Sequence, residues 1–379
     1  MSKIIYLDAA ASSLKPESVV NAQVGFLRNH YANAGRGICA RAAAVDKMLE
    51  SARAAAADFI NAKPEQIVFT SGTTDGLNRI PRILEASSFL NGGLKTVAAT
   101  DLDHHSARMP WQELQHVGKA RLELCPLDKE FNIDASGAGG ADVFVITAMS
   151  NVLGAAQDVG RIVAAAKKKN PKVITIVDAA QYVAHLPINV GEWDCDFLCF
   201  SGHKIGADTG IGVMYVKEPE KMRPDKYGGG MVAKISGGLD TNDGIWILSD
   251  GPAKFEAGTL PLTQIAGLPF AFSEIAERPA QNADFIRYLH SELSKIARIK
   301  IITRPDAAML TFVVDDMHCL DFGALAGARG LCLRVGNMCA SWLHRALGLD
   351  GTIRISPGFW NSMDEMEEVV RIVNEIVKK

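Results

Sequence analysis

The sequence predicts an α/β protein in which a mainly parallel sheet of seven strands is sandwiched by helices and followed by a smaller α+β domain. Three observations lead there. Short apolar, β-branched runs alternate with longer segments of helical spacing, the strand-like runs are apolar at nearly every position, and near Gly267 the texture changes to longer helices around two short strands. Strands apolar on both faces belong in a sheet that helices cover on both sides.

Residues 40 to 61 read as the first long helix, alanine-rich with Val45, Met48, Leu49, Ala52, Phe59 and Ile60 at roughly helical spacing and Pro64 closing the segment. Strands are expected at 66–69, 96–99, 121–124, 143–147, 173–177, 197–200 and 213–216. The Gly228-Gly229-Gly230 and Gly237-Gly238 clusters flank a stretch of little periodicity, read as a mobile loop. In the smaller domain strands are expected at 310–314 and 352–355. The last helix opens with Ser362 and Glu365 spaced as a capping box and carries Met366, Val369, Val370, Val373, Ile376 and Val377 on one face. The expected division is a large domain at 16–265 and a small domain made of 1–15 and 266–379.

A chain of 379 residues, 48% hydrophobic and 22% charged, has enough apolar material for a large core in two domains. With a net charge of −3 and no basic run longer than Lys167-Lys168-Lys169, the sequence predicts no nucleic-acid surface. No apolar stretch is long enough to span a bilayer and no signal-peptide core is visible at the N-terminus, so a cytoplasmic, membrane-free protein is expected. The seven cysteines are odd in number and scattered, with no paired CxxC motifs for zinc, which fits reduced thiols and no metal. Cys195 and Cys199, in or beside a buried strand, are assigned to packing.

The polar residues gather after the strands, at the edge where open α/β sheets bind ligands. Ser71-Gly72-Thr73-Thr74 follows one strand and opens a helix, which suits either a phosphate cradle or an ordinary helix cap. Asp103-His104-His105, Ser150-Asn151 and Asp178-Ala179-Ala180-Gln181 follow others, and Ser201-Gly202-His203-Lys204 follows the run 196–200. A lysine just past a buried strand is held towards its neutral amine by desolvation, as Schiff-base chemistry requires. A lysine for an aldehyde, a carboxylate for a pyridine nitrogen and an anion cradle together suit pyridoxal 5'-phosphate.

With these motifs the chain resembles the group V, fold-type I pyridoxal-phosphate enzymes, and within them the short-loop cysteine desulfurases and their selenocysteine lyase relatives. The resemblance runs from Tyr6-Leu7-Asp8 to the final helix through Thr70-Ser71-Gly72-Thr73-Thr74, Asp103-His104-His105, Ser150-Asn151-Val152-Leu153-Gly154, Val177-Asp178-Ala179-Ala180-Gln181, Ser201-Gly202-His203-Lys204, Phe255-Glu256-Ala257-Gly258-Thr259 and Arg334-Val335-Gly336-Asn337-Met338-Cys339-Ala340. It implies the pyridoxal-phosphate transferase fold, a homodimer, and a place in sulfur metabolism such as iron-sulfur cluster assembly.

The same resemblance implies residue roles. Lys204 would hold the cofactor and then shuttle the substrate's α-proton. Asp178 would pair with the pyridine nitrogen and Gln181 with the ring hydroxyl, while His104 would stack on the ring. Thr74, Ser201 and His203 would hold the phosphate, assisted by Thr73 and by Thr259 from the second subunit. Asn151 would lie beside cofactor and substrate, and Arg354 would bind the substrate carboxylate as a planar guanidinium; without the family it reads as a surface arginine at a strand end. Cys339 would take sulfur from L-cysteine, giving L-alanine and a persulfide for a sulfur-acceptor protein. Gly336-Asn337-Met338 reads as an exposed loop, with a helix at 340–347 following the thiol. Where the family carries one or two histidines before this cysteine, the chain has Asn337 and Met338. Ile205-Gly206-Ala207-Asp208, Ala9 and Leu260-Pro261 also depart from the family pattern. Two other readings stay open: a selenocysteine lyase or C–S β-lyase that does not need Cys339, and a non-catalytic sulfur-relay or scaffold protein.

Overall fold

The computed structural model describes residues 4–35, 37–236, 245–277 and 281–378. The chain enters in a two-residue strand, β1 (Ile5–Tyr6), and after the helix Ala40–Phe59 builds β2 (Ile67–Thr70), β3 (Lys95–Ala99), β4 (Ala120–Leu124), β5 (Val143–Thr147), β6 (Ile174–Asp178), β7 (Phe197–Ser201) and β8 (Gly212–Val216). These last seven form one sheet in the order β2-β8-β7-β6-β5-β3-β4. All neighbours in it are parallel except β8, which runs antiparallel to β2 and β7.

Alternate residues of the central strands feed two different cores. Phe144 and Ile146 of β5, with Leu198 and Phe200 of β7, pack on one face. Val143, Val145, Phe197 and Cys199 pack on the other. Two-sided burial is why these strands are apolar up to their last residues, Thr147 and Ser201, each buried Phe or Leu being worth about 1.5–3 kcal/mol. Helix Thr73–Ala86 covers one face through Leu77, Ile80, Ile83 and Leu84. Helix Val159–Lys169 covers the other through Val159, Ile162 and Val163. Because β2, β3, β5, β6 and β7 run the same way, their C-terminal ends share one edge.

The stretch between the two glycine clusters, expected to be a mobile loop, holds strand β9 (Val232–Ser236), which pairs antiparallel with β10 (Ile245–Leu248) beyond it. Its side chains are mostly exposed, so no buried face imposes the two-residue period by which a strand is read. Gly237-Gly238 lies outside the described residues.

The remaining strands are β11 (Ile299–Ile301), β12 (Leu310–Val314), β13 (Leu331–Cys332), β14 (Arg334–Gly336) and β15 (Thr352–Ile355). An antiparallel sheet in the order β11-β12-β15-β14 packs Phe312, Ile353 and Ile355 against Phe285, Phe322, Met366 and Val369. β1 pairs in parallel with β13, which brings Ile5 and Leu7 into this core and places Asp8 opposite Ser356. The capping box forms, with the Ser362 hydroxyl accepting from the Glu365 amide at 3.3 Å. Helix Leu262–Glu277 crosses the expected boundary at 265/266 and buries Ile265, Leu268, Ala271 and Phe272 in the larger core.

Candidate active site

The shared edge of the large sheet is built around two glycines. Gly212 opens β8 between Thr70 and Ser201, and a Cβ there would lie 2.6 Å from both the Gly72 Cα and the Phe200 carbonyl oxygen. Its missing side chain lets the turn after β2 close onto the end of β7. Gly72 supplies the positive φ of +149° that this turn needs. The Thr73 amide then donates to the Ser201 hydroxyl at 2.7 Å, and the Thr73 hydroxyl lies 2.8 Å from it. The Thr74 hydroxyl lies 2.8 Å from that of Ser106. His203 Nδ1 is buried without a partner. This cluster of hydroxyls and amides at a helix start is suited to an anion.

Asp178 ends β6 beside Thr147 and Cys199 and accepts from the Ala180 amide at 2.9 Å. Burial pushes its pKa up to about 6, opposed by that hydrogen bond and by Lys204. Lys204 sits in the single turn after β7. Burial, with the positive charge of Arg354, pushes its pKa down to about 8, while Asp178 and Asp8 pull it up. A neutral amine is therefore accessible near physiological pH. Lys204 Nζ donates to the Ala10 carbonyl at 2.5 Å. Gln181 Nε2 donates to the same oxygen at 2.7 Å, leaving Gln181 Oε1 buried without a partner. His104 caps the helix His105–His116, its Nδ1 accepting from the Ser106 amide at 3.1 Å. Burial, then Lys204 and His105, lower its pKa to about 4, so the ring is neutral.

Arg354 lies within β15 at 2% exposure, which overturns its reading as a surface residue. Its Nη1 donates to the Asn151 carbonyl at 2.7 Å and its Nη2 to Asp8 at 2.9 Å, while Nε is buried and unpartnered. Arg334 pairs with the other Asp8 oxygen at 2.8 Å. Two of the five Arg354 N–H donors are thus engaged by the chain itself, which leaves donors for a ligand. Asn151 Nδ2 donates to the Met338 carbonyl at 2.7 Å, tying this wall to the cysteine loop. Met338 and Cys339 adopt φ of +50° and +54°, consecutive left-handed residues that only a well-held turn sustains. The helix after them begins at Ser341, one residue later than the sequence suggested.

Every residue singled out for the site, save Thr259, lines one cavity of about 330 Å³. Thr259 is exposed and does not border it. Asp8, Arg334, Ser106 and the segment Ala10–Ala11 belong to this neighbourhood and were not anticipated. Ala10 acts through its carbonyl, for which no side chain gives a signal. Asp8 gives no signal either, because Arg334 and Arg354, with which it pairs, lie at the other end of the chain.

The profile of the aminotransferase class-V family matches residues 5–369. The chain belongs to this family. Among relatives of the class-V chain, a cysteine desulfurase of Enterobacter sp. (strain 638) is 34% identical, over 97% of this chain and 92% of its own length. One from Serratia proteamaculans is 30% identical, over 99% and 94%. Among solved structures, the apo cysteine desulfurase from Thermococcus onnurineus NA1 superposes with a TM-score of 0.92 at 30% identity, covering 99% of this chain and 95% of that one. A cysteine desulfurase from Escherichia coli in an S-sulfonic acid form gives 0.88 at 30% identity, with the same coverage.

The class-V chain offers a group with a phosphate and a polar aromatic ring the partners it needs: the Thr73–Ser201 cradle, the Asp178 carboxylate, and the orphaned Gln181 Oε1 and His203 Nδ1. Among the described residues no cluster of His, Cys, Asp or Glu could hold a metal ion, and no helix is long and apolar enough to cross a membrane.

Proposed function

We propose that this protein is a pyridoxal-phosphate-dependent cysteine desulfurase that converts L-cysteine to L-alanine and keeps the sulfur as a persulfide on Cys339. The observation that carries the reading is that Lys204, Asp178, Arg354 and Cys339 line the same cavity. Pyridoxal phosphate, when bound, would supply the electron sink at the substrate's α-carbon.

The chain's own residues account for the rest. Asp178, drawn towards its anion by Ala180 and Lys204, would accept the pyridine N–H, and Gln181 the ring hydroxyl. Thr73, Thr74, Ser201 and His203 would hold the phosphate, with Thr259 completing that grip from the second subunit of a homodimer. The neutral His104 ring would lie against the cofactor and assist proton transfer. Arg354 would receive the substrate carboxylate through guanidinium N–H groups that the chain leaves free, with Asn151 beside it. Lys204, with a pKa of about 8, can take and return the α-proton near neutrality.

The Cys339 thiolate would attack the substrate sulfur. A sulfur–sulfur bond forms as the substrate's Cβ–S bond breaks, the electron pair returns to the carbon skeleton, and protonation there completes alanine. An acceptor protein would then remove the outer sulfur. Wild type and Cys339→Ala, given cysteine and a reductant, test this by their alanine, pyruvate and sulfide. The proposal expects alanine and sulfide from the wild type and loss of both in the variant. Unchanged alanine in the variant contradicts it, and pyruvate as the main product assigns a β-lyase instead.

A further inference from the structure

The cysteine turn is gripped by residues remote in sequence. The backbone amide of His105 donates to the Cys339 carbonyl at 2.9 Å. The His105 ring reaches the first residue of the next helix: Nε2 lies 3.2 Å from the Ser341 hydroxyl and accepts from the Ser341 amide at 3.4 Å. That amide is one of the donors a helix start leaves without an internal partner. The same ring packs edge-on against Trp342, centroids 5.1 Å apart at 78°. Arg108 sets its guanidinium 4.4 Å over the Trp342 ring and is itself held by Asp101 at 3.2 Å. Residues 339, 341 and 342 are thus all engaged by one helix, His105–His116, and Asn151 holds the Met338 carbonyl.

We propose that His105 is a positioning residue for the sulfur-accepting cysteine. Its imidazole fastens Ser341 and Trp342, so the left-handed Met338–Cys339 turn stays fixed where Cys339 borders the cavity. The proposal rests on the reading of Cys339 as the persulfide-forming residue. It gives the chain a histidine that organises the turn from outside it, since Asn337 and Met338 directly precede the thiol. Attack on a substrate sulfur needs near-contact geometry, and an error of about 1 Å costs about 10²-fold in rate.

The test combines amide hydrogen exchange at residues 338–342 of the cofactor-loaded protein with single-turnover persulfide formation. In His105→Ala, exchange at these amides should rise about tenfold as the closed turn loses protection. Persulfide formation should fall about 10²-fold, with KM little altered and the cofactor's visible band intact. His105→Gln, whose side-chain oxygen can take the place of Nε2, should recover most of both. Unchanged exchange in His105→Ala overturns the proposal, as does faster exchange with a wild-type rate of persulfide formation. Equal impairment of the Ala and Gln variants overturns it too, by assigning the effect to lost ring volume. If Cys339→Ala instead retained wild-type turnover, the functional reading would fall, and the exchange data would still decide whether His105 holds the turn.

Discussion

Burial moves the pKa values of Lys204 and Asp178 towards the middle of the scale, to about 8 and about 6. An ordinary lysine titrates near 10.4, whereas burial lowers Lys204 to about 8, so at pH 7 its neutral amine is about two orders of magnitude more abundant. Uptake of pyridoxal phosphate by the apoprotein, followed by its visible band, should rise as pH passes through about 8 and level off above it. A rise centred above pH 10 would contradict the burial argument. Replacing Asp178 by Asn removes the carboxylate that stabilises a protonated ring nitrogen. Turnover should fall by at least about 10²-fold, as for loss of a positioned acid or base, with the cofactor still bound. These two residues were legible in the sequence because each follows a readable buried strand. Asp8 was not, since the two-residue β1 before it is too short to give a pattern. The engagement of both Arg354 Nη atoms depends on Asp8 and on a backbone carbonyl, which only the folded chain brings together.

Buried charges as well as apolar packing link the elements around the site. Glu256, in the segment leading to Thr259, accepts from Arg53 Nη1 at 2.8 Å and Nη2 at 2.7 Å and from the Phe69 amide at 2.7 Å. Both side chains are largely buried. Arg53→Met leaves this carboxylate uncompensated and should cost about 3–5 kcal/mol in a denaturant titration. At the cradle, Gly212→Ala places a methyl 2.6 Å from Gly72 and should cost about 1–3 kcal/mol by overpacking, with weakened cofactor affinity. Wild-type affinity and stability there would mean that the turn gives way freely. The inner strands β5, β7 and β8 were readable because two-sided burial makes them almost continuously apolar, whereas the edge strand β4, with Arg121 and Glu123 and mostly exposed, lacks the two-sided burial expected of it. The β9–β10 ladder, β11 and β14 were not readable: the first is exposed on most positions, and the others are three residues long. Length and one-sided burial are what create a period, and these elements lack one or both.

For the whole molecule, two cores meet at one cavity. The central sheet presents Lys204, Asp178 and the anion cradle, while the smaller sheet and its connecting turn present Arg354 and Cys339. The sequence located both sets but not how they interlock, because the ties across them are a carbonyl at Ala10, the carbonyl and side-chain amide of Asn151, and the His105 contacts. Thr259 stands outside this chain's cavity, so the dimer proposal predicts twice the chain's mass in sedimentation. It also predicts a cofactor Kd raised by about tenfold in Thr259→Ala, the value of one charge-assisted hydrogen bond. A monomer with undiminished cofactor affinity would contradict it. The central claim, that sulfur passes from cysteine to Cys339, is tested most directly by mass spectrometry of the Cys339 peptide after a single turnover without reductant. The account predicts one added sulfur atom on that peptide, matched by one alanine per active site. Alanine released at the wild-type rate while the Cys339 peptide stays unmodified would contradict it.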